Sequence, residues 1–265
     1  MYFESLCKEL SALKEIEGIA LGGSRAGESF DQNSDYDLYI YVSSVPSEAI
    51  RKSILQKYCS YMEIGNSYWE LEDDCTLKNG IDIDILYRDI KTFEQGIEDV
   101  VVHANSHNGY TTCMWHNLLN CKILLDKTGE LTQLKEKYNI PYPAQLKKNI
   151  IDRNMKLLHG FLPSYEGQIN KALKRGDKVA VNHRIAAFME SYFDVIFALN
   201  EMTHPGEKRE VLFAKKGAKK LPVNFEENID SLFSSIFDDS KKENVPKLLA
   251  DIVENISCII CSVNV

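Results

Sequence analysis

Two aspartates two residues apart, Asp35 and Asp37, stand in the run SDYDLYIYV, and a glycine-rich turn, LGGSRAGES, comes shortly before them. Alternation along a strand puts positions 35 and 37 on one face, separated by roughly 6.6 Å of rise. Carboxylates so placed can converge on cations, and a hard cation such as Mg²⁺ binds through a few carboxylates together with substrate phosphates. The turn suits an anion. Gly22 and Gly23 permit positive φ and close approach of a ligand, the amides of Ser24 and Arg25 open a short helix and can donate to a phosphate, and Ser24 adds a hydroxyl. A site that transfers a phosphoryl group with two metal ions needs a further acid from a neighbouring strand. The run KNGIDIDILYRD offers two, Asp82 and Asp84, on the face opposite Ile81, Ile83 and Ile85. An acid repeated on a buried strand is costly unless paired or ligated, but the wet face of an edge strand produces the same pattern.

Two other phosphate loops fail on particular residues. GGSRAGES has the G-x-x-x-x-G spacing of a P-loop, but Glu28 occupies the lysine position and would repel the phosphates it should neutralise. The dinucleotide pattern G-x-G-x-x-G is absent.

The elements that must position these groups follow from periodicity. Leu6, Leu10 and Leu13 predict a helix over 5–16 with Ser5 as its cap, and GIALGG is a short strand that ends at the glycines. The acidic strand spans 35–42, and Pro46 and Ser47 start a helix over 47–58. Strands are expected at 61–64 and 68–71, then at 81–86 after the Asn79-Gly80 turn, with a helix over 90–103. Thereafter strand signals nearly vanish apart from CKILLD at 121–126. Helices are expected at 143–158, 163–175, 178–202, 224–237 and 245–263. This is an α+β catalytic-type domain over 1–125 followed by a helical domain over 126–265.

Composition bounds the rest. The chain has 265 residues, is 44% hydrophobic and carries a net charge of −8. Residues 1–110 hold 20 acids and 9 Lys plus Arg, a net of −11, and the remainder, with 19 acids and 22 bases, is +3. An acidic first part with no basic stripe disfavours binding along nucleic acid and is compatible with metal ions or a cationic substrate. No run reaches the length of a membrane span and the N-terminus lacks the marks of a leader, so a cytoplasmic location is expected. Seven scattered cysteines argue for free thiols, and Cys258 and Cys261, in the apolar run ISCIICSV, read as part of a buried helix or terminal segment. Trp115, His116 and Asn117 read as packing. Asn182, His183 and Arg184 open a helix where they could meet a phosphate or an acceptor. Lys208 and Arg209 read as a solvated loop, and Arg88 as the partner of a carboxylate.

In their order and spacing, GGSRA, SDYDLYIYV and the later strand acid resemble the nucleotidyltransferase fold shared by DNA polymerase beta and the bacterial antibiotic nucleotidyltransferases. The resemblance covers about residues 18–90. The runs YTTCMWHNLLNCKILLD and VNHRIAAFMESYFDVIFALNEMTHPGEKR are similar to a group of bacterial two-domain nucleotidyltransferase-like proteins. The resemblance implies a mixed β-sheet with flanking helices, followed by a helical C-terminal domain that helps to bind the acceptor. It implies that Gly23 and Ser24, within the turn of Gly22 to Arg25, hold a triphosphate, and that Asp35 and Asp37 ligate two Mg²⁺ ions. A third carboxylate, Asp84 rather than Asp82 because it stands two residues before an apolar-aromatic pair, would ligate one metal and help to deprotonate the acceptor. The implied activity moves a nucleoside monophosphate from ATP or another NTP to a hydroxyl of a small molecule, aminoglycoside- or lincosamide-like, with release of pyrophosphate. Protein adenylylation of the antitoxin type and a catalytically idle nucleotide-binding module are the alternatives.

Overall fold

The structure is a computed structural model that describes residues 2–27, 34–68, 70–160 and 163–262. Glu28, on which the P-loop comparison turns, lies outside these residues. The chain divides into two compact units, residues 1–98 with 117–140, and residues 99–116 with 141–265.

In the first unit the elements are α1 (Tyr2–Ser11), β1 (Ile16–Leu21), α2 (Gly23–Ala26), β2 (Tyr36–Val42), α3 (Glu48–Tyr58), β3 (Cys59–Asn66), β4 (Glu72–Leu77) and β5 (Asp82–Arg88). Then come α4 (Ile90–Val101) and α5 (Cys113–Asn120), each of which crosses a division between the units, and β6 (Lys122–Asp126) and α6 (Glu130–Lys137). The six strands form one mixed sheet in the order β3-β4-β5-β2-β1-β6. Only the β2–β5 pair is parallel among the described strands.

Alternation builds the core on one face of this sheet. Leu38, Ile40 and Val42 of β2 and Ile83 and Ile85 of β5 pack in one buried cluster with Leu6 and Leu10 of α1 and Ile54 and Leu55 of α3. On the other face Tyr41 meets Phe93 of α4 edge-on, with ring centroids 5.5 Å apart. The Asn79-Gly80 turn forms as expected, with Gly80 at φ +83°. Ser47 caps α3 by accepting from the Ile50 amide at 3.4 Å.

Several elements differ from the sequence reading. Helix α1 begins at Tyr2, so Ser5 lies inside it instead of capping it. The strand expected at 68–71 lies at Glu72–Leu77 instead. The reason is tertiary. Asp73 occupies a core position of β4 with no solvent exposure. It is ion-paired with Arg51, accepts from the Gly65 amide at 2.9 Å and from the Tyr87 hydroxyl at 3.0 Å. A polar stretch thus behaves as a strand because a helix supplies the buried countercharge.

The second unit is helical: α7 (Ala144–Leu158), α8 (Tyr165–Arg175), α9 (Lys178–Leu199), α10 (Glu210–Gly217), α11 (Phe225–Ser235) and α12 (Val245–Ser262). Helix α9 is buried nearly all round over its C-terminal half, from Phe188 to Leu199, as befits a helix whose apolar residues form no single stripe. It packs against α7 and α8. A carboxylate is set among them. Asp194 accepts from the Thr111 amide at 3.1 Å, the Thr111 hydroxyl at 2.6 Å and the Asn154 amide nitrogen at 3.1 Å. Burial pushes its carboxyl up to about 6 against those bonds. Cys258 and Cys261 do lie on a helix, α12, but they are exposed and not buried, and all seven cysteines are free. Among the described residues no helix is long and apolar enough to cross a membrane.

Candidate active site

Strand β1 runs into the glycine turn, and the turn folds back on β2. The Gly22 amide donates to the Asp37 carbonyl at 2.8 Å. The two glycines serve different needs. Gly22 is in extended backbone, φ −106°, so the positive φ expected of it is absent. It is required for space, because a Cβ there would lie 2.3 Å from Cε2 of the Tyr39 ring. Gly23 does have positive φ, +56°, and a Cβ there would lie 1.7 Å from Oδ2 of Asp37. The backbone of the turn is therefore seated directly against the Asp37 carboxylate.

Ser24 and Arg25 open the short helix α2 as expected. The Arg25 side chain ties the turn to the start of β2. Its Nε donates to the carbonyls of Ser34 at 2.6 Å and Asp35 at 3.1 Å, and its guanidinium lies 4.0 Å from the centre of the Tyr36 ring. Tyr36 stacks in turn on Phe3 of α1 at 4.1 Å. Asp35 is half-buried one residue before β2 begins.

The parallel pairing of β2 with β5 sets Asp37 directly opposite Asp84. Both are half-buried. Asp82 lies beyond the paired stretch of β2; it is exposed and accepts from the Thr76 hydroxyl at 2.7 Å. The register thus joins Asp37 to Asp84 and leaves Asp82 on a separate hydrogen bond.

One neighbouring carboxylate was missed in the sequence. On β4, Asp74 faces Asp84 in antiparallel register, and its Oδ2 accepts from the Asn66 side chain at 2.8 Å. Two residues away, the Glu72 carboxyl is pushed up by burial and by Asp74, Asp84 and Glu70 nearby. The EDD triplet was the available signal, and placing the strand too early obscured it.

Behind the acids on the same face, Arg88 forms a two-point ion pair with Glu70, Nε to Oε2 at 2.6 Å and Nη2 to Oε1 at 2.7 Å. It is the carboxylate partner expected of it. Its guanidinium lies 4.2 Å from the centre of the Tyr39 ring, the ring that abuts Gly22. Burial disfavours its charge, but the pair with Glu70 leaves its pKa raised. Tyr39 is thus held between a fixed cation and the glycine turn.

The expected ligands Asp35, Asp37 and Asp84 are carboxylates, which suit a hard divalent cation such as Mg²⁺. Among the described residues no three His, Cys, Asp or Glu side chains gather as a set able to hold a metal ion. Mg²⁺ is commonly held by one or two carboxylates and completed by substrate phosphates, and Asp37 and Asp84 are two carboxylates that the strand register sets side by side.

In the second unit the other polar candidates separate by exposure. Trp115 is buried and packs on Tyr142 with ring centroids 5.4 Å apart, and His116 Nδ1 lies 2.8 Å from the Thr203 hydroxyl. Asn182, His183 and Arg184 on the first turns of α9, and Lys208 and Arg209 before α10, are exposed. The sequence reading missed a buried pair, His204 Nε2 and Glu210 Oε1, 3.4 Å apart and, among the described residues, without hydrogen-bond partners. Although their separation is that of an ion pair, both groups are driven to neutrality. Burial, with His116 nearby, pushes His204 down to about 3; burial, with Glu190, Glu207 and Asp194 nearby, pushes Glu210 up to about 8.

Residues 3–107 match the model of the nucleotidyltransferase domain. They form a nucleotidyltransferase domain. Residues 111–208 match a second model, a domain of unknown function, DUF4037. No curated protein matches the chain. Among solved structures, the chain is similar to a nucleotidyltransferase-like protein from Exiguobacterium sibiricum, with 10% identity, 98% of this chain and 74% of that one covered, and a TM-score of 0.42. It is also similar to an aminoglycoside 6-adenyltransferase from Bacillus subtilis, with 11% identity, 97% and 90% covered, and a TM-score of 0.30. A third is a Thermotoga maritima CCA-adding enzyme complexed with tRNA, with 11% identity, 98% and 80% covered, and a TM-score of 0.28.

Proposed function

We propose that the protein transfers a nucleoside monophosphate from an NTP, with ATP the expected donor, to a hydroxyl of a small molecule and releases pyrophosphate. The observation that carries this reading is the meeting of three features at one place: Asp37 opposite Asp84 in parallel register, with the Gly23 backbone against the Asp37 carboxylate. A turn that presents backbone to an anion, beside paired carboxylates, can receive a triphosphate together with its cations.

In this reading the turn of Gly22 to Arg25 holds the triphosphate: Gly23, Ser24 and Arg25 supply backbone amides, Ser24 adds its hydroxyl, and Gly22, whose amide is held by the Asp37 carbonyl, lets the turn close on Tyr39. Asp35, Asp37 and Asp84 would hold Mg²⁺, which when bound neutralises charge on the phosphates. The Asp84 carboxylate takes the proton of the attacking acceptor hydroxyl. Tyr39, buttressed by Arg88, keeps the turn and β2 in fixed relation. Selection of the acceptor is assigned to the helical unit, and an aminoglycoside- or lincosamide-like molecule is the class to try first.

The test is release of pyrophosphate from labelled ATP, GTP, CTP and UTP with Mg²⁺ and a panel of hydroxylated antibiotics, metabolites, co-purifying proteins and short RNAs. Turnover with a small hydroxylated acceptor is expected. Asp35→Asn, Asp37→Asn and Asp84→Asn should each lose turnover, and Asp82→Asn should retain it. If Asp82→Asn is inactive and Asp84→Asn active, the third acid has been misassigned. Labelling confined to a protein or an RNA would replace the acceptor class.

A further inference from the structure

We propose that the helical unit carries a second ligand site, separate from the carboxylate pair, that binds the oxyanion of a small phosphate- or carboxylate-bearing molecule. The site is an open hollow of about 620 Å³ between α7 and the segment that leads to Thr111, lined by Ser106, Asn108, Asn149, Arg153, Lys156 and Leu157 among others, of which Asn108, Arg153 and Lys156 are exposed. That volume falls within the range of small-molecule sites, roughly 300–1,000 Å³.

Its wall is built before any ligand arrives. The segment 104–111 has no regular secondary structure, yet side chains fasten it along its length. The Asn149 amide nitrogen donates to the Ala104 carbonyl at 2.8 Å, and that of Asn154 donates to the His107 carbonyl at 3.1 Å. The Thr111 hydroxyl accepts from the His107 amide at 3.0 Å and donates to Asp194. Arg153 Nε donates to Asn108 Oδ1 at 2.7 Å. A wall pinned at this many points costs little further ordering when a ligand binds.

The charge of the lining selects the ligand. The bond from Nε fixes the Arg153 guanidinium to the wall but uses one edge of it; among the described residues no acceptor meets its two terminal nitrogens, nor the side-chain nitrogen of Asn108. A planar fork of this kind matches two oxygens of a phosphate or a carboxylate. Lys156, one turn further along α7, adds a second positive charge to the lining. The one acid there, Asp152, is offset by Lys148 one turn earlier on the helix, 3.6 Å away. Leu157 and Pro163 supply apolar surface for the body of the molecule.

The test is calorimetric titration of the full chain with inorganic phosphate and, separately, with citrate, at low ionic strength. Saturable binding of at least one is expected, and the stronger of the two identifies phosphate or carboxylate as the natural group. Arg153→Gln should weaken binding about tenfold or more, the scale of losing hydrogen bonds to a charged group. Arg153→Lys, which keeps the charge without the fork, should fall between. Asn108→Asp retains the acceptor for Arg153 and places a negative charge in the wall, so it should weaken binding by a similar factor even if Arg153→Gln disturbs the segment. Asp37→Asn should bind as the parent does, whether or not it has lost nucleotidyl transfer. Absence of saturable binding, unchanged binding in both Arg153→Gln and Asn108→Asp, or loss of binding in Asp37→Asn would overturn the proposal.

Discussion

Replacing Gly23 by alanine should separate catalysis from stability in one substitution. The new Cβ would lie 1.7 Å from Asp37 Oδ2, about 1.7 Å inside the 3.4 Å at which ordinary contact begins. The three heavy atoms closest to it are all from the Asp37 side chain, so the carboxylate, and not the sheet, has to give way. The cost to folding is then chiefly the left-handed backbone at φ +56°, about 1–2 kcal/mol for a residue with a Cβ. For a chain of this size that corresponds to a lowering of Tm by about 2–8 °C. Catalysis should suffer far more, since misplacing a reacting-site group by about 1 Å is worth about 100-fold. The assay is kcat for pyrophosphate release, run well below the measured Tm, beside thermal unfolding of the same protein. Gly22→Ala is the matched control. Its Cβ would strike the buried Tyr39 ring at 2.3 Å, an overpacking that costs about 1–3 kcal/mol, so its larger effect should be on stability. A Gly23→Ala protein with kcat within about threefold of the parent would refute the assignment of this turn and Asp37 to one site.

Two further outcomes follow from buried charge in each unit. Asp73→Ala removes the acid that faces buried Arg51 and leaves that cation uncompensated, so urea unfolding should show a loss of about 3–5 kcal/mol; a loss below about 1 kcal/mol would mean that Arg51 finds another partner. Glu210 binds its proton more tightly in the folded protein, with its carboxyl pushed up to about 8, than in the unfolded chain. Its contribution is therefore complete below the unfolded carboxyl range and is lost as pH rises through about 8, with a slope of at most about 1.4 kcal/mol per pH unit. His204, pushed down to about 3, acts in the opposite sense but only below the unfolded imidazole range. Between pH 7 and 8.5 the parent should lose stability in urea unfolding, and Glu210→Gln should show a flatter profile; equal slopes would show that Glu210 does not hold its proton there.

How far the sequence could be read depends on how local each signal was. The long helices of the second unit announced themselves within two or three residues of their ends, because an apolar face repeats every turn. β2 was legible because Leu38, Ile40 and Val42 alternate with polar neighbours. β4 was not, because the first of its three buried positions, Asp73, is an acid whose acceptability depends on Arg51 in another element. The short α10 and its contact with His204 gave no local signal, since a buried neutral pair looks in sequence like any surface histidine and glutamate.

The sequence by itself determined the order of the pieces: a glycine turn, an acidic strand, a later strand acid and a helical second half, each written in residue type and spacing that steric and hydrophobic rules make nearly compulsory. Periodicity alone made Asp82 and Asp84 alike, because two positions on one face of a strand have the same period, and only the family resemblance favoured Asp84. The tertiary structure adds what distinguishes their surroundings. Parallel pairing of β2 with β5 aligns Asp84 with Asp37 and leaves Asp82 to Thr76, and register is a relation between strands that neither strand encodes alone. The same holds for the two glycines, adjacent and identical in sequence, of which one accommodates an aromatic ring and the other the carboxylate that the proposed chemistry requires.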